Sequence, residues 1–75
     1  MDLDCALGLQ KGARLKANMG WMESGRIKLT RGKEYELLMD VMCLVRDGEI
    51  VNVHLAIEDD YHEVRYPSYH YFEAA

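Results

Sequence analysis

The stretch "VMCLVRDGEIVNVHLAI" constrains this chain more than any other. Asp47 and Gly48 stand between two apolar runs. A two-residue hairpin loop needs positive φ at both central residues, and Asp-Gly reaches that conformation at little cost. The flanks are rich in Val and Ile, which suit a pleated, half-buried surface. A tight hairpin is therefore expected at Asp47-Gly48. Two-residue alternation turns Val51, Val53, Leu55 and Ile57 inward on the returning strand and Asn52, His54 and Ala56 outward. Residues 41–45 are almost wholly apolar. That run calls either for a bulge or for burial on both faces, and Cys43 within it reads as buried and inert.

Other segments carry the same period. In "ARLKANM", Ala13, Leu15, Ala17 and Met19 fall on one face and Arg14, Lys16 and Asn18 on the other. "GWMESGR" reads as a loop carrying Trp21. "LTRGKEYELLM" opens on a turn at Gly32 and then alternates, with Tyr35, Leu37, Met39 and Val41 facing one way. "EDD", residues 58–60, marks a second turn. "YHEVRY" follows as a short strand with Val64 and Tyr66 on one side. Leu37, Val53, Leu55 and Val64 are the expected core. The opening "DLDCALGLQKG" alternates like a strand, yet Asp2 or Asp4 equally caps a short helix ended by Gly12. Residues 1–12 are taken as an N-terminal arm and residues 13–75 as the domain. No strand-to-helix alternation and no internal repeat appears. The economical fold is all-β: about five short strands curled into a small barrel, because closure removes exposed edges.

"YPSYHYF", residues 66–72, places four rings and an imidazole beside the only proline. Together with "LTRGKEYEL" and the hairpin through "RDGE", it resembles a Src homology 3-like barrel, in which a helical turn begun by Pro-Ser precedes a short last strand. The resemblance covers residues 13–73 and extends to small proteins of bacteriophages and bacteria with that barrel. It implies a non-catalytic binding module, of which an accessory protein that modulates or inhibits a host factor is the concrete version. The acidic-aromatic motif that holds proline-rich peptides is not visible in the first loop. In such a barrel Pro67 presets φ for the helical turn. Tyr66, with Tyr69 or Phe72, plugs one end, and the remaining rings lie outside.

Charge and composition narrow the function. Residues 1–33 hold seven basic and three acidic residues, whereas residues 34–75 hold two basic and ten acidic. Interleaving of the two halves in one small β domain would mix these charges over its surface. A basic face of Arg14, Lys16, Arg26, Lys28, Arg31 and Lys33, with Trp21 as a stacking ring, is the pattern of a nucleic-acid-binding barrel. A net charge of −4 opposes that alternative, since phosphate neutralisation supplies most non-specific affinity. Cys5 and Cys43 lack metal or redox spacing. No apolar run is long enough for a signal peptide or a membrane span, so a cytoplasmic protein with reduced thiols is expected. His54, His62 and His70 lack zinc spacing, and no nucleophile sits beside a base at a recognisable interval. No enzyme, no metal and no cofactor is therefore expected. A protein partner is, with a homodimer allowed at this chain length. Its expected contact surface is Trp21, Tyr69 and Tyr71, rimmed by Glu58, Asp59 and Asp60, because aromatic anchors beside charges dominate protein interfaces.

Overall fold

The structure is a computed structural model that describes all 75 residues apart from the side chain of Ile27. Strands dominate it, as the alternation requires. They are short: β1 (Arg14–Ala17), β2 (Trp21–Glu23), β3 (Arg26–Leu29), β4 (Glu34–Glu36), β5 (Met42–Arg46), β6 (Glu49–His54), β7 (Ile57–Glu58), β8 (Val64–Arg65) and β9 (Phe72–Ala74). They form one three-stranded sheet, β4-β1-β9, and three two-stranded ribbons, β2-β3, β5-β6 and β7-β8. All pairings are antiparallel. The chain is all-β, divided into more and smaller pieces than a five-strand meander.

The N-terminal arm resolves to a helix, α1 (Leu3–Leu7). Asp2 caps it, its carboxylate accepting the Cys5 N–H at 2.8 Å, which supplies a partner for one of the unpaired first-turn donors. The helix ends at Gly8, earlier than Gly12, where the Gly8 N–H turns back to the Cys5 carbonyl. Ala6 is fully buried, and α1 packs on β6.

The hairpin at Asp47-Gly48 forms as its sequence demands, with φ of 52° and 78° at the two residues. A bulge relieves the apolar run. The register shifts between Leu44 and Val45, so that Val51 of β6 has no partner residue. A second hairpin was hidden in "GWMESGR". Ser24 and Gly25 take φ of 53° and 76° and join β2 to β3. Serine rarely adopts that conformation, and so its sequence carries a weaker signal than Asp-Gly.

The core gathers Leu15, Ala17, Leu29, Tyr35, Leu37, Val53, Leu55, Ile57 and Phe72. Phe72 meets Tyr35 edge to face at 6.1 Å between ring centroids. Several inward assignments need correction. Val51 is 48% exposed while Val53 is fully buried, because the outer half of the hairpin, with Leu44, Val45 and Ile50, extends past the core. Val64 and Tyr66 share a face as the period requires, but that face points outward. Met19 and Met39 lie just past the ends of β1 and β4 and are exposed. Ala56 is buried, because β6 ends at His54 and the chain bends before β7. Cys43 is exposed, not buried. Burial on both faces of residues 41–45 does not occur: Leu44 and Val45 lie in solvent.

The charge halves do interleave. Arg14 and Lys16 of β1 stand opposite Glu36 and Glu34 of β4, and Lys16 also faces Glu73 of β9. No helix among the described residues is long and apolar enough to cross a membrane.

Candidate partner-binding surface

The surface is built where β2 meets the C-terminal segment. Ser68 caps a single 3-10 turn, Tyr69–Tyr71, its hydroxyl accepting from the His70 N–H. The turn delivers Phe72 into the core and leaves Tyr71 half-buried beside Trp21. The two rings lie 6.3 Å apart, tilted by 50°. The first loop and the Pro67 turn are thus neighbours. Tyr69 does not join them. It packs on the core and stacks on His70 at 4.1 Å.

Trp21 and Tyr71 form one wall of a groove of about 520 Å³ that Glu23, Val64, Arg65, Tyr66 and Pro67 also line. His54 and Tyr66 separate this groove from a second one of about 320 Å³, lined by Met39, Met42, Cys43 and Leu44. Tyr66, 51% exposed, lines both grooves and so stands as a ridge between them. It is held from below: Pro67 is buried, the Leu55 N–H donates to the Pro67 carbonyl at 2.9 Å, and His54 Nδ1 lies 2.7 Å from the Tyr66 carbonyl. Sequence reading missed Val64 and Tyr66 as surface residues. Their shared face was legible, but which face meets the core was not.

The acidic trio divides. Glu58 is exposed and meets His62 at 2.7 Å. Asp59 is only 3% exposed. Its Oδ1 accepts the Tyr61 and Glu63 N–H groups at 2.8 and 3.0 Å, and its Oδ2 faces Arg65 at 3.3 Å and Lys28 at 3.9 Å. Burial opposes ionisation of this carboxyl. The two backbone donors, then Arg65 and Lys28, outweigh burial and hold Asp59 below its ordinary value. Asp60 accepts from Lys33 at 2.6 Å, Thr30 Oγ1 at 2.7 Å and Tyr35 Oη at 2.8 Å. Here too burial opposes the charge, and these three partners lower the carboxyl's pKa. Tyr35 is shifted up, first by burial. The expected charged rim is corrected at Asp59 and Asp60: both carboxylates are consumed in tying the β7-β8 turn to β3 and β4.

The same bonds remove part of the expected basic face and leave Lys16 and Arg31 exposed. Lys28 is buried, its ammonium between Asp59 and Glu63 and 4.9 Å from the Tyr61 ring. Arg26 covers that same ring at 5.3 Å. Lys33 pairs with Asp60 and Arg14 with Glu34. The histidines are dispersed, to the Tyr66 carbonyl, Glu58 and Ser68. Among the described residues, no three His, Cys, Asp or Glu side chains gather around one point. The chain matches no protein-family model, no curated protein and no solved structure.

Proposed function

We propose that this chain is a non-catalytic protein-binding module, and that the Tyr66 ridge with its two grooves is its contact surface. The observation that carries the reading is the Tyr66 ridge, a large exposed ring on a braced backbone between two apolar grooves. A rigid aromatic of this kind loses little conformational freedom on binding, and such residues carry much of the affinity at protein interfaces. Trp21 and Tyr71 complete the surface on one side, with Met42 and Leu44 on the other. Tyr69 and the Asp59-Asp60 pair are left to structure, and Glu23 is the exposed carboxylate that lines the groove.

The fold reading behind this proposal is the Src homology 3-like barrel. Two features support it: β1 pairs with the last strand, β9, as well as with β4, and a 3-10 turn immediately precedes β9. The likeness to small phage and bacterial barrels makes a modulator of another protein the concrete version. The nucleic-acid alternative loses weight because Arg14, Lys28 and Lys33 of its face are paired with carboxylates, which leaves Lys16, Arg26 and Arg31 to carry it.

The test uses capture from cell extract by wild type, Tyr66→Ala and Lys16→Ala, with thermal unfolding of each in parallel. The expected result is a partner held by wild type and Lys16→Ala and weakened by about 2 kcal/mol or more in Tyr66→Ala, all three unfolding alike. Undiminished capture by Tyr66→Ala overturns the proposed surface. A tight complex with DNA at near-physiological salt, lost on changing Lys16 and Arg31 to Glu, overturns the protein-binding reading.

A further inference from the structure

β5 presents an unguarded edge. Its backbone pairs with β6 alone, and β6 is its main packing neighbour. Natural edge strands are protected by charge, proline, a bulge or a cover, because a bare row of N–H and C=O groups templates another strand. β5 has little of this protection. Residues 42–45 are Met, Cys, Leu and Val, with the only charge of the strand at Arg46. The hairpin's bulge lies on the other strand, at Val51. Leu44, Val45, Ile50 and Val51 are all exposed. An isolated two-stranded ribbon is at best marginally stable in water, so a third strand would stabilise the exposed outer half of this one.

The sequence of that edge is complementary to itself. A two-fold axis perpendicular to an antiparallel pair sets one residue opposite its own copy. With Cys43 on the axis, Met42 faces Leu44 of the second copy and Val41 faces Val45. Asp40, at the bend leading into the strand, comes level with Arg46. Every apolar residue then meets an apolar one, and opposite charges close both ends. Shifting the axis to Leu44 sets Met42 against Arg46 and Val41 against Asp47. Shifting it to Met42 sets Asp40 against Leu44. Only the register on Cys43 satisfies all positions, and opposite pairs of this kind favour pairing whereas like charges oppose it.

We propose that two copies of this chain associate edge to edge through β5, antiparallel, with Cys43 on the symmetry axis. The ribbon then becomes a four-stranded sheet, β6-β5-β5-β6, across the dimer. The groove lined by Met42, Cys43 and Leu44 lies at this junction, and the wall formed by Trp21 and Tyr71 stays on the other side of the Tyr66 ridge. The dimer does not depend on the partner-binding reading, but it takes Met42 and Leu44 from the surface assigned there and leaves Tyr66, Trp21 and Tyr71 to the partner.

Sedimentation across a wide concentration range tests it, with Cys5 changed to Ser throughout. Wild type should pass from monomer to dimer. Asp40→Arg places arginine opposite Arg46, and Arg46→Asp places aspartate opposite Asp40. Each variant alone should dimerise about tenfold more weakly, while an equimolar mixture recovers the affinity, because the heterodimer pairs opposite charges again. Diamide supplies a second readout, taking up two electrons and two protons as two Cys43 thiols join. Directly opposed antiparallel residues lie about 4.5–5.5 Å apart at Cα, within disulfide reach, so the linked dimer should form readily and be suppressed by Asp40→Arg. A monomer at every concentration overturns the proposal. So does a dimer that ignores both charge reversals, or one broken by Tyr66→Ala and not by them.

Discussion

Two hairpins of this molecule solve the same problem in opposite ways. The β7-β8 ribbon has strands of two residues each, too few for a ladder to hold it. Side-chain polar bonds secure it instead, buried at Asp59 and partly exposed at Asp60. Asp59 takes two backbone N–H groups and two cations, and Asp60 takes Lys33, Thr30 and Tyr35. The β5-β6 ribbon has five and six residues, a turn that forms from Asp-Gly alone, and almost no side-chain support at its outer half. One ribbon is locked by paired charge and the other stands on its backbone with an apolar surface exposed. The difference separates a ribbon tied to its neighbours by side chains from one whose outer half stands exposed.

The largest expected effect tests where that outer half begins. Val53 and Val51 are two residues apart on β6, yet Val53 is fully buried and Val51 is 48% exposed. Val53→Asp places an unpaired charge in the core and should abolish cooperative unfolding in a domain with only about 5–15 kcal/mol to lose. Val51→Asp should retain the transition. Circular dichroism melts of the pair decide it. If both unfold, the outer half of the hairpin does not extend past the core.

The next effect probes the locked ribbon. Asp59→Asn keeps an acceptor for the Tyr61 and Glu63 N–H groups but removes the charge facing Lys28 and Arg65. Leaving a buried cation without its partner typically costs about 3 kcal/mol or more. Urea denaturation measures it. A cost below about 1 kcal/mol would mean that Glu63, 3.5 Å from the Lys28 ammonium, suffices alone, and that Asp59 acts only through its backbone bonds.

How much of this contrast the sequence discloses depends on the carrier of the signal. Asp47-Gly48 is a local signal, fixed by the backbone preferences of two residues, and it is legible. The alternation of Leu15 and Ala17, or of Tyr35 and Leu37, is legible for the same reason. The outward turn of Val64 and Tyr66 is not, since period two gives two faces without saying which meets the core. The acids at residues 58–60 look like an ordinary solvated turn. The capture of Asp59 and Asp60 depends on Lys28, Thr30, Lys33 and Tyr35, which lie about 25 to 30 positions away in the chain, too far for any local pattern to report. On the candidate surface, the Trp21–Tyr71 contact followed from the placement of the first loop beside the Pro67 turn. The Tyr66 ridge did not, because an exposed ring and a plugging ring have the same composition.

pH sharpens the comparison at intermediate magnitude. The folded Asp59 and Asp60 carboxyls titrate below their ordinary value of 3.8. A depressed folded pKa means that the unfolded chain binds protons first as pH falls. The stability these groups contribute is therefore complete well above pH 3.8 and declines below it, until pH has passed through the folded values. Asp60→Asn removes one contributor. Bonds to a charged group are worth about 1.5–3 kcal/mol, so the variant should be less stable near neutrality by about that amount and should lose less on acidification. Stability measured from pH 6 downward checks this. A wild-type slope unchanged in Asp60→Asn would show that Asp60 is not one of the groups holding the locked ribbon.

The smallest effect belongs to the free ribbon and depends on protein concentration. Leu44 is half exposed, on the outer half of β5. In the dilute monomer Leu44→Lys should change stability by no more than about 0.5 kcal/mol, as surface substitutions generally do. The edge also becomes charged, which is how natural edges avoid pairing. Association that stabilises only the folded state raises apparent stability with concentration. The wild-type melting temperature should therefore rise with concentration while that of Leu44→Lys stays flat, so that the two diverge only in concentrated solution. A penalty of about 2 kcal/mol in the dilute protein would show instead that Leu44 is packed within the monomer. The two hairpins would then differ in the chemistry of their support, and not in whether they have any.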